Sequence, residues 1–146
     1  MTNNIKMPIL VSIIGGSGYT GAELMRLISK HPYFNLFQVV ANRNAGKKIE
    51  DIFPHLRHLN LPDFISFEEM IFEDVDLIFC ALPHATSQEI IIKIPEGIKI
   101  IDLSADFRLE KVQEYERWYG KKHIAPLLQE KAVYGLTEIY KEKIKK

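Results

Sequence analysis

The chain has 146 residues, with 19 Lys plus Arg against 19 Asp plus Glu, so it has room for one domain with a real core and no global field to draw in nucleic acid or an anionic membrane. One cysteine excludes a disulfide framework or a multi-cysteine metal site and suits a reducing compartment. No apolar run approaches the roughly 20 residues that span a bilayer, and "MTNNIKMPILVSII" lacks a signal peptide's shape because its apolar run passes straight into glycines. The expectation is a soluble, cytoplasmic protein.

In chain order, strands alternate with helices. "ILVSII" (Ile9 to Ile14) is unbroken and rich in β-branched residues, the pattern of a parallel strand covered on both faces. "AELMRLISKHP" predicts a helix with Leu24, Leu27 and Ile28 on its inner face, stopped by Pro32. "LFQVVA" (Leu36 to Ala41) reads as the second strand. After a long polar connection, "SFEE" (Ser66 to Glu69) is a capping box that predicts a short helix. "DLIFCAL" (Asp76 to Leu82) is a third strand, "TSQE" (Thr86 to Glu89) caps a helix running to Pro95, and "IKIIDL" (Ile98 to Leu103) is a fourth strand. Strand, helix and strand at this spacing imply right-handed crossovers and an α/β, Rossmann-type doubly wound parallel sheet. No internal repeat, low-complexity tract or linker interrupts residues 1–146, which read as one domain.

Between the first strand and the first helix lies "GGSGYTG", readable as Gly16-x-Gly18-x-x-Gly21 or as Gly15-x-x-Gly18-x-x-Gly21. Glycine permits a positive φ in a tight turn and lets backbone amides approach a pyrophosphate, while the helix N-terminus adds partial positive charge. In that setting the turn points to dinucleotide binding rather than to a turn that needs glycine for geometry alone. Where an NAD protein carries an acid at the end of the second strand, this chain reads "VVANRNAGKK". Asn42 can bond a ribose or phosphate oxygen, and Arg43 offers a charged fork suited to a 2′-phosphate, with Lys47 and Lys48 behind it. The pattern favours NADP, against a solvated loop charge at Arg43.

"GGSGYTGAEL", "NAGKKI", "FPHL", "ALPHATS", "IDLSADFRL", "WYG" and "VYGLTE" occur in this order, and together they resemble the N-acetyl-gamma-glutamyl-phosphate reductases, NADPH enzymes of arginine biosynthesis. The resemblance covers essentially the whole chain and selects the Gly15-x-x-Gly18-x-x-Gly21 register, with Gly16 the variable position. It implies that Ser17, Gly18, Tyr19 and Thr20 lie around the cofactor phosphates, and that Leu82, Pro83 and His84 lie beside the dinucleotide. It also implies a small acyl-phosphate substrate and a homo-oligomeric full-length protein, to which the balanced charge adds the expectation of no nucleic-acid or membrane partner.

In "DLSADFRL", Asp102 reads as a strand-end cap and Asp106 as a partner that orients Arg108. Arg108 is the candidate clamp for the substrate phosphate, as the resemblance implies, with a structural ion pair to Asp106 as the plainer alternative. His55 and His58 lack a third ligand and read as loop residues near the active-site mouth rather than a metal site. Tyr115, Trp118 and Tyr119 read as helix packing. Cys80, inside an apolar strand, reads as core and not as a nucleophile.

In the resembled family the catalytic cysteine belongs to an Asn-Pro-Gly-Cys segment that would begin a short way beyond "VYGLTEIYKEKIKK". The expectation is therefore a fragment lacking the nucleophile, the substrate domain and the dimerisation sheet, and inactive alone. The alternatives are a stand-alone NADP-binding module, or the same domain of an aminoadipyl-phosphate or aspartyl-phosphate reductase.

Overall fold

The computed structural model describes residues 7–145; residues 1–6, on which part of the leader argument rests, and Lys146 lie outside them. The chain divides into two compact units, Met1–Ala81 with Pro95–Ile101, and Leu82–Ile94 with Asp102–Lys146.

The first unit is built on β1 (Ile9–Ile14), β2 (Phe34–Val40), β3 (Phe64–Ile65), β4 (Leu77–Cys80) and β5 (Lys99–Asp102, whose last residue falls in the second unit). β1 pairs in parallel with β2 and β4, and β2 with β3. The order is β3-β2-β1-β4-β5, all parallel. That is the Rossmann order, in which the winding reverses between β1 and β4 and leaves a crevice at the strands' carboxyl ends.

The β-branched run of β1 is buried from Val11 to Ile14. Its one polar residue, Ser12, is answered by Gln38 Nε2 at 3.4 Å, and Gln38 also bonds the Ile71 carbonyl and N–H. α1 (Tyr19–Ile28) covers this sheet. Its buried face is Gly21, Ala22, Met25 and Ile28, whereas Leu24 is half-buried and Leu27 is 51% exposed. Of the expected inner face, Ile28 is buried and Leu24 packs against the core while Leu27 turns outward, because residues at i, i+1, i+4 and i+7 from Gly21 form the inner stripe. Val11, Ile13, Val39, Phe64 and Met25 pack together with Ile49 of α2 (Ile49–Ile52) in one apolar core.

The helix expected at Ser66–Glu69 is a turn. Glu69 accepts the Ser66 N–H at 2.7 Å, half of a capping box, but the Glu69 N–H goes to the Ser66 carbonyl instead of the hydroxyl. Asp76 then ties the returning chain to the Leu10 N–H at 2.7 Å. The Ile71 N–H and carbonyl are taken by the Gln38 side chain rather than by helical partners, so the turn does not continue as a helix.

The second unit contains α3 (Ser87–Ile91), α4 (Val112–Tyr119), α5 (Pro126–Lys131) and α6 (Thr137–Ile144). α3 stops short of the expected Pro95 limit. Gly120, in the left-handed region at φ +64°, ends α4. Much of what this unit buries is polar: Ser87, Gln88, Asp106, His123 and Gln129 lie inside with Tyr115. Trp118 does not join them, being 77% exposed; of the three aromatics read as packing, Tyr115 is buried and Tyr119 half-buried. Among the described residues, no helix is long and apolar enough to cross a membrane.

Candidate functional site

In the first unit the glycine turn follows β1 at the reversal of the sheet. The Gly15 and Gly16 N–H groups both donate to the Val40 carbonyl at 2.9 Å, which pins the turn to the end of β2. Each glycine but one has a reason within the chain. Gly15 sits at φ +86°, where a side chain is strained. A Cβ on Gly16 would lie 2.1 Å from Val39 Cγ1, and one on Gly21 would lie 2.5 Å from the Gly16 carbonyl oxygen.

Gly18 is the exception. Its φ of −90° and ψ of 171° are open to any residue, and a Cβ there would meet nothing nearer than the Gly15 oxygen at 3.9 Å. It forms the N-cap of α1, which has neither a side-chain cap nor an acid in its first turn. The first-turn amides, on Tyr19, Thr20 and Gly21, are therefore left for an anion, with the helix dipole behind them. Ser17 beside them is half-buried; Tyr19, 95% exposed, and Thr20 face outward.

Asn42 and Arg43 open a 3₁₀ turn, Asn42–Asn44, directly after β2. Asn42 Oδ1 accepts the Phe67 N–H at 2.9 Å, which leaves its amide NH₂ as the group able to donate. Arg43 is exposed and joins no ion pair among the described residues. The lysines are less available: Lys47 donates to Asn44 Oδ1 at 3.1 Å, and Lys48 lies 3.8 Å from Glu50. A separate surface cleft of about 430 Å³, lined by Lys48, Arg57, Asn60 and Asp63 among others, does not include the glycine turn.

In the second unit, Leu82 is half-buried while Pro83 and His84 are exposed. They lead into Ala85, at φ +64°. Asp106, fully buried, accepts the Ala85 N–H at 2.6 Å, the Ser87 hydroxyl at 2.8 Å and the Tyr115 hydroxyl at 2.9 Å. Burial pushes the Asp106 carboxyl up, but the bonds from the Ala85 N–H, Ser87, Tyr115 and the Gln88 N–H outweigh it and hold the group below its usual value. Burial, then the bond to Asp106, push Tyr115 up to about 12. Asp102 is a strand-end cap, as its position suggested: it accepts the Ser104 N–H at 3.0 Å and the Ser104 hydroxyl at 2.6 Å.

Arg108 is not oriented by Asp106. The carboxylate is spent on neutral donors, and Arg108 is exposed and in no ion pair among the described residues. It lines a cleft with Glu110, Gln129, Tyr134, Tyr140 and Lys143. His55 and His58 are exposed, and no group of three or more metal-ligating side chains occurs among the described residues. Cys80 is fully buried in β4.

The family model described as semialdehyde dehydrogenase, NAD binding domain, matches residues 10–146. The chain belongs to that family. Within the semialdehyde dehydrogenase family it is 54% identical over 135 residues to the N-acetyl-gamma-glutamyl-phosphate reductase of Rhodobacter capsulatus, a match covering 92% of this chain and 40% of that protein. It is 52% identical over 138 residues to the probable chloroplastic N-acetyl-gamma-glutamyl-phosphate reductase of Arabidopsis thaliana, covering 94% and 34% respectively. The aspartate semialdehyde dehydrogenase of Candida albicans, solved with NADP, shares the fold at a TM-score of 0.53 and 23% identity, over 72% of this chain and 32% of that one. The chain thus spans about 40% of the length of the bacterial relatives it matches.

For this semialdehyde dehydrogenase domain, sequence reasoning singled out the glycine turn, Asn42 and Arg43, and the structure brings these to the carboxyl ends of β1 and β2. It missed the steric need for glycine at position 16 and the cluster of Ser87, Tyr115 and His123 around Asp106. No spacing rule joins residues so far apart in the chain; the one available signal was the density of small polar residues in "DLSADF".

Proposed function

We propose that this chain is the NADP(H)-binding part of an N-acetyl-gamma-glutamyl-phosphate reductase acting in a soluble compartment. The observation that carries the reading is Gly18: neither backbone conformation nor packing calls for glycine there, yet it stands before an uncapped helix N-terminus. A pyrophosphate explains both features, because it needs open amides and no Cβ in its path. Gly15 and Gly21 shape the turn, and Ser17 to Thr20 supply the donors. Asn42 and Arg43, with no carboxylate between β2 and Lys48, suit the ribose and its 2′-phosphate. Leu82, Pro83 and His84 contact the dinucleotide in this reading, and Arg108 takes the substrate phosphate.

The bound nicotinamide would supply hydride. The chain's own residues hold and orient it; the buried Cys80 thiol has no part in the chemistry. Identity to reductases over nearly the whole chain supports N-acetyl-gamma-glutamyl phosphate as the substrate of the whole protein. Calorimetric titration of the chain with NADPH and with NADH tests the cofactor reading: saturable binding that favours NADPH is expected, and equal affinity or no binding overturns it. Assay of a longer protein containing this chain, with acetylglutamyl phosphate and NADPH, tests the substrate.

A further inference from the structure

Ala85 is the one non-glycine residue in the left-handed region among the described residues. Alanine has no polar side chain to make that conformation favourable, so something else must hold it. Its N–H donates to Asp106, a fully buried carboxylate that no cation balances within the described chain. A cap for α3 did not require so costly a group, since serine and threonine serve as caps on their own. Thr86 is at that position and uses its hydroxyl on the Pro83 carbonyl instead.

Asp106 is itself fixed through its own backbone N–H and carbonyl. Its N–H donates to Ser104 Oγ at 3.0 Å, and its carbonyl lies 3.0 Å from His123 Nε2. Because His123 Nδ1 accepts the Ala125 N–H at 3.2 Å, the ring's proton is assigned to Nε2, which donates to Asp106. A rigid anion therefore grips the one strained residue that follows Leu82-Pro83-His84.

We infer that Asp106 is a positioning residue: by clamping Ala85 in its left-handed turn it sets the course of the Leu82–His84 segment, and so the affinity for the dinucleotide. The role rests on the cofactor reading above, in which that segment contacts NADP.

The test is fluorescence titration of NADPH into the 146-residue chain and three variants, with thermal melts and hydrogen exchange of the Ala85 amide alongside. Asp106→Asn keeps the shape and removes the charge; it is expected to weaken binding about tenfold, the effect of one charge-assisted hydrogen bond, and to unprotect the Ala85 amide. Ala85→Gly alone should bind within about twofold of the parent, since glycine takes the left-handed turn without strain. Combined with Asp106→Asn it should recover affinity to within about threefold, because the clamp then has no strain to hold. A parent chain that binds no NADPH overturns the cofactor reading and the positioning role with it. A parent that binds while Asp106→Asn binds equally well overturns the positioning role alone, as does a loss that Ala85→Gly fails to relieve. Should Asp106→Asn not fold, Tyr115→Phe keeps the carboxylate and removes one of its donors. Binding weakened about threefold, from a net hydrogen bond, supports the role, and unchanged binding contradicts it.

Discussion

Gly16 and Gly18 lie two residues apart in one turn and have opposite duties, one in packing and the other toward the ligand. A Cβ on Gly16 would lie 2.1 Å from Val39 Cγ1 in the closed core. Gly16→Ala should therefore lose about 1–3 kcal/mol to overpacking, a drop of roughly 3–10 °C in melting temperature for a chain of this size. At Gly18 the nearest atom to a new Cβ is 3.9 Å away and the backbone is extended, so Gly18→Val should lose only about 1 kcal/mol, the cost of a poorer N-cap. Its effect falls on the ligand: displacing a pyrophosphate from two helix-turn amides forfeits about 3 kcal/mol at the weaker end for charged hydrogen bonds, a loss of more than about a hundredfold in Kd. Thermal melts and NADPH titrations on both variants separate the two duties. Parental NADPH affinity in Gly18→Val would remove the turn from the cofactor site, and an unchanged melt in Gly16→Ala would refute the packing.

Arg43→Ala should narrow the preference for NADPH over NADH by about 1.5–3 kcal/mol, the value of a hydrogen bond to a charged group, and rising salt should narrow it further; an unchanged ratio moves the role to Lys47 or Lys48. Asp106 is held below its usual 3.8, so its contribution to stability is present above that pH and lost as pH falls through the lower folded value; Asp106→Asn should flatten the acid limb of a stability profile. Tyr115 is raised from 10.0 to about 12, so its contribution is present below pH 10 and lost as pH rises toward 12, and Tyr115→Phe should flatten that alkaline limb. Cys80 should resist thiol reagents until the chain unfolds. The chain incubated with NADPH and acetylglutamyl phosphate should show no steady loss of reduced-nicotinamide absorbance; turnover abolished by Cys80→Ser would show that the buried thiol has been misread.

Where local pattern and tertiary packing agree, the sequence was enough to read the fold. β1 occupies the predicted Ile9–Ile14 because an unbroken β-branched run before glycines has few other uses. β3 escaped because Phe64–Ile65 is two residues long and shows no period. The inner face of α1 is only partly legible: Ile28 and Leu24 face the core as their spacing implies, but Gly21 and Ala22, whose small size lets the helix lie close to the turn, take the place of Leu27. "SFEE" carries a real start signal and forms half of its box, but the chain turns back before a helix can grow. In the candidate site, the glycine turn is legible as a strand-to-helix turn because its residues are consecutive. The Asp106 cluster was not: its donors come from Ala85, Ser87 and Tyr115, brought together by tertiary structure alone. Nor does composition reveal strain, and Ala85 looks like any other alanine until its φ is known.

The most direct test of the central claim is to follow the backbone amides of the isotopically labelled chain by NMR as NADPH is added. Ser17, Gly18, Tyr19 and Thr20 should shift first and most, followed by Asn42 and Arg43 and by Leu82 to His84. Shifts confined to the cleft of Lys48, Arg57 and Asp63, or none at all up to millimolar NADPH, would contradict it.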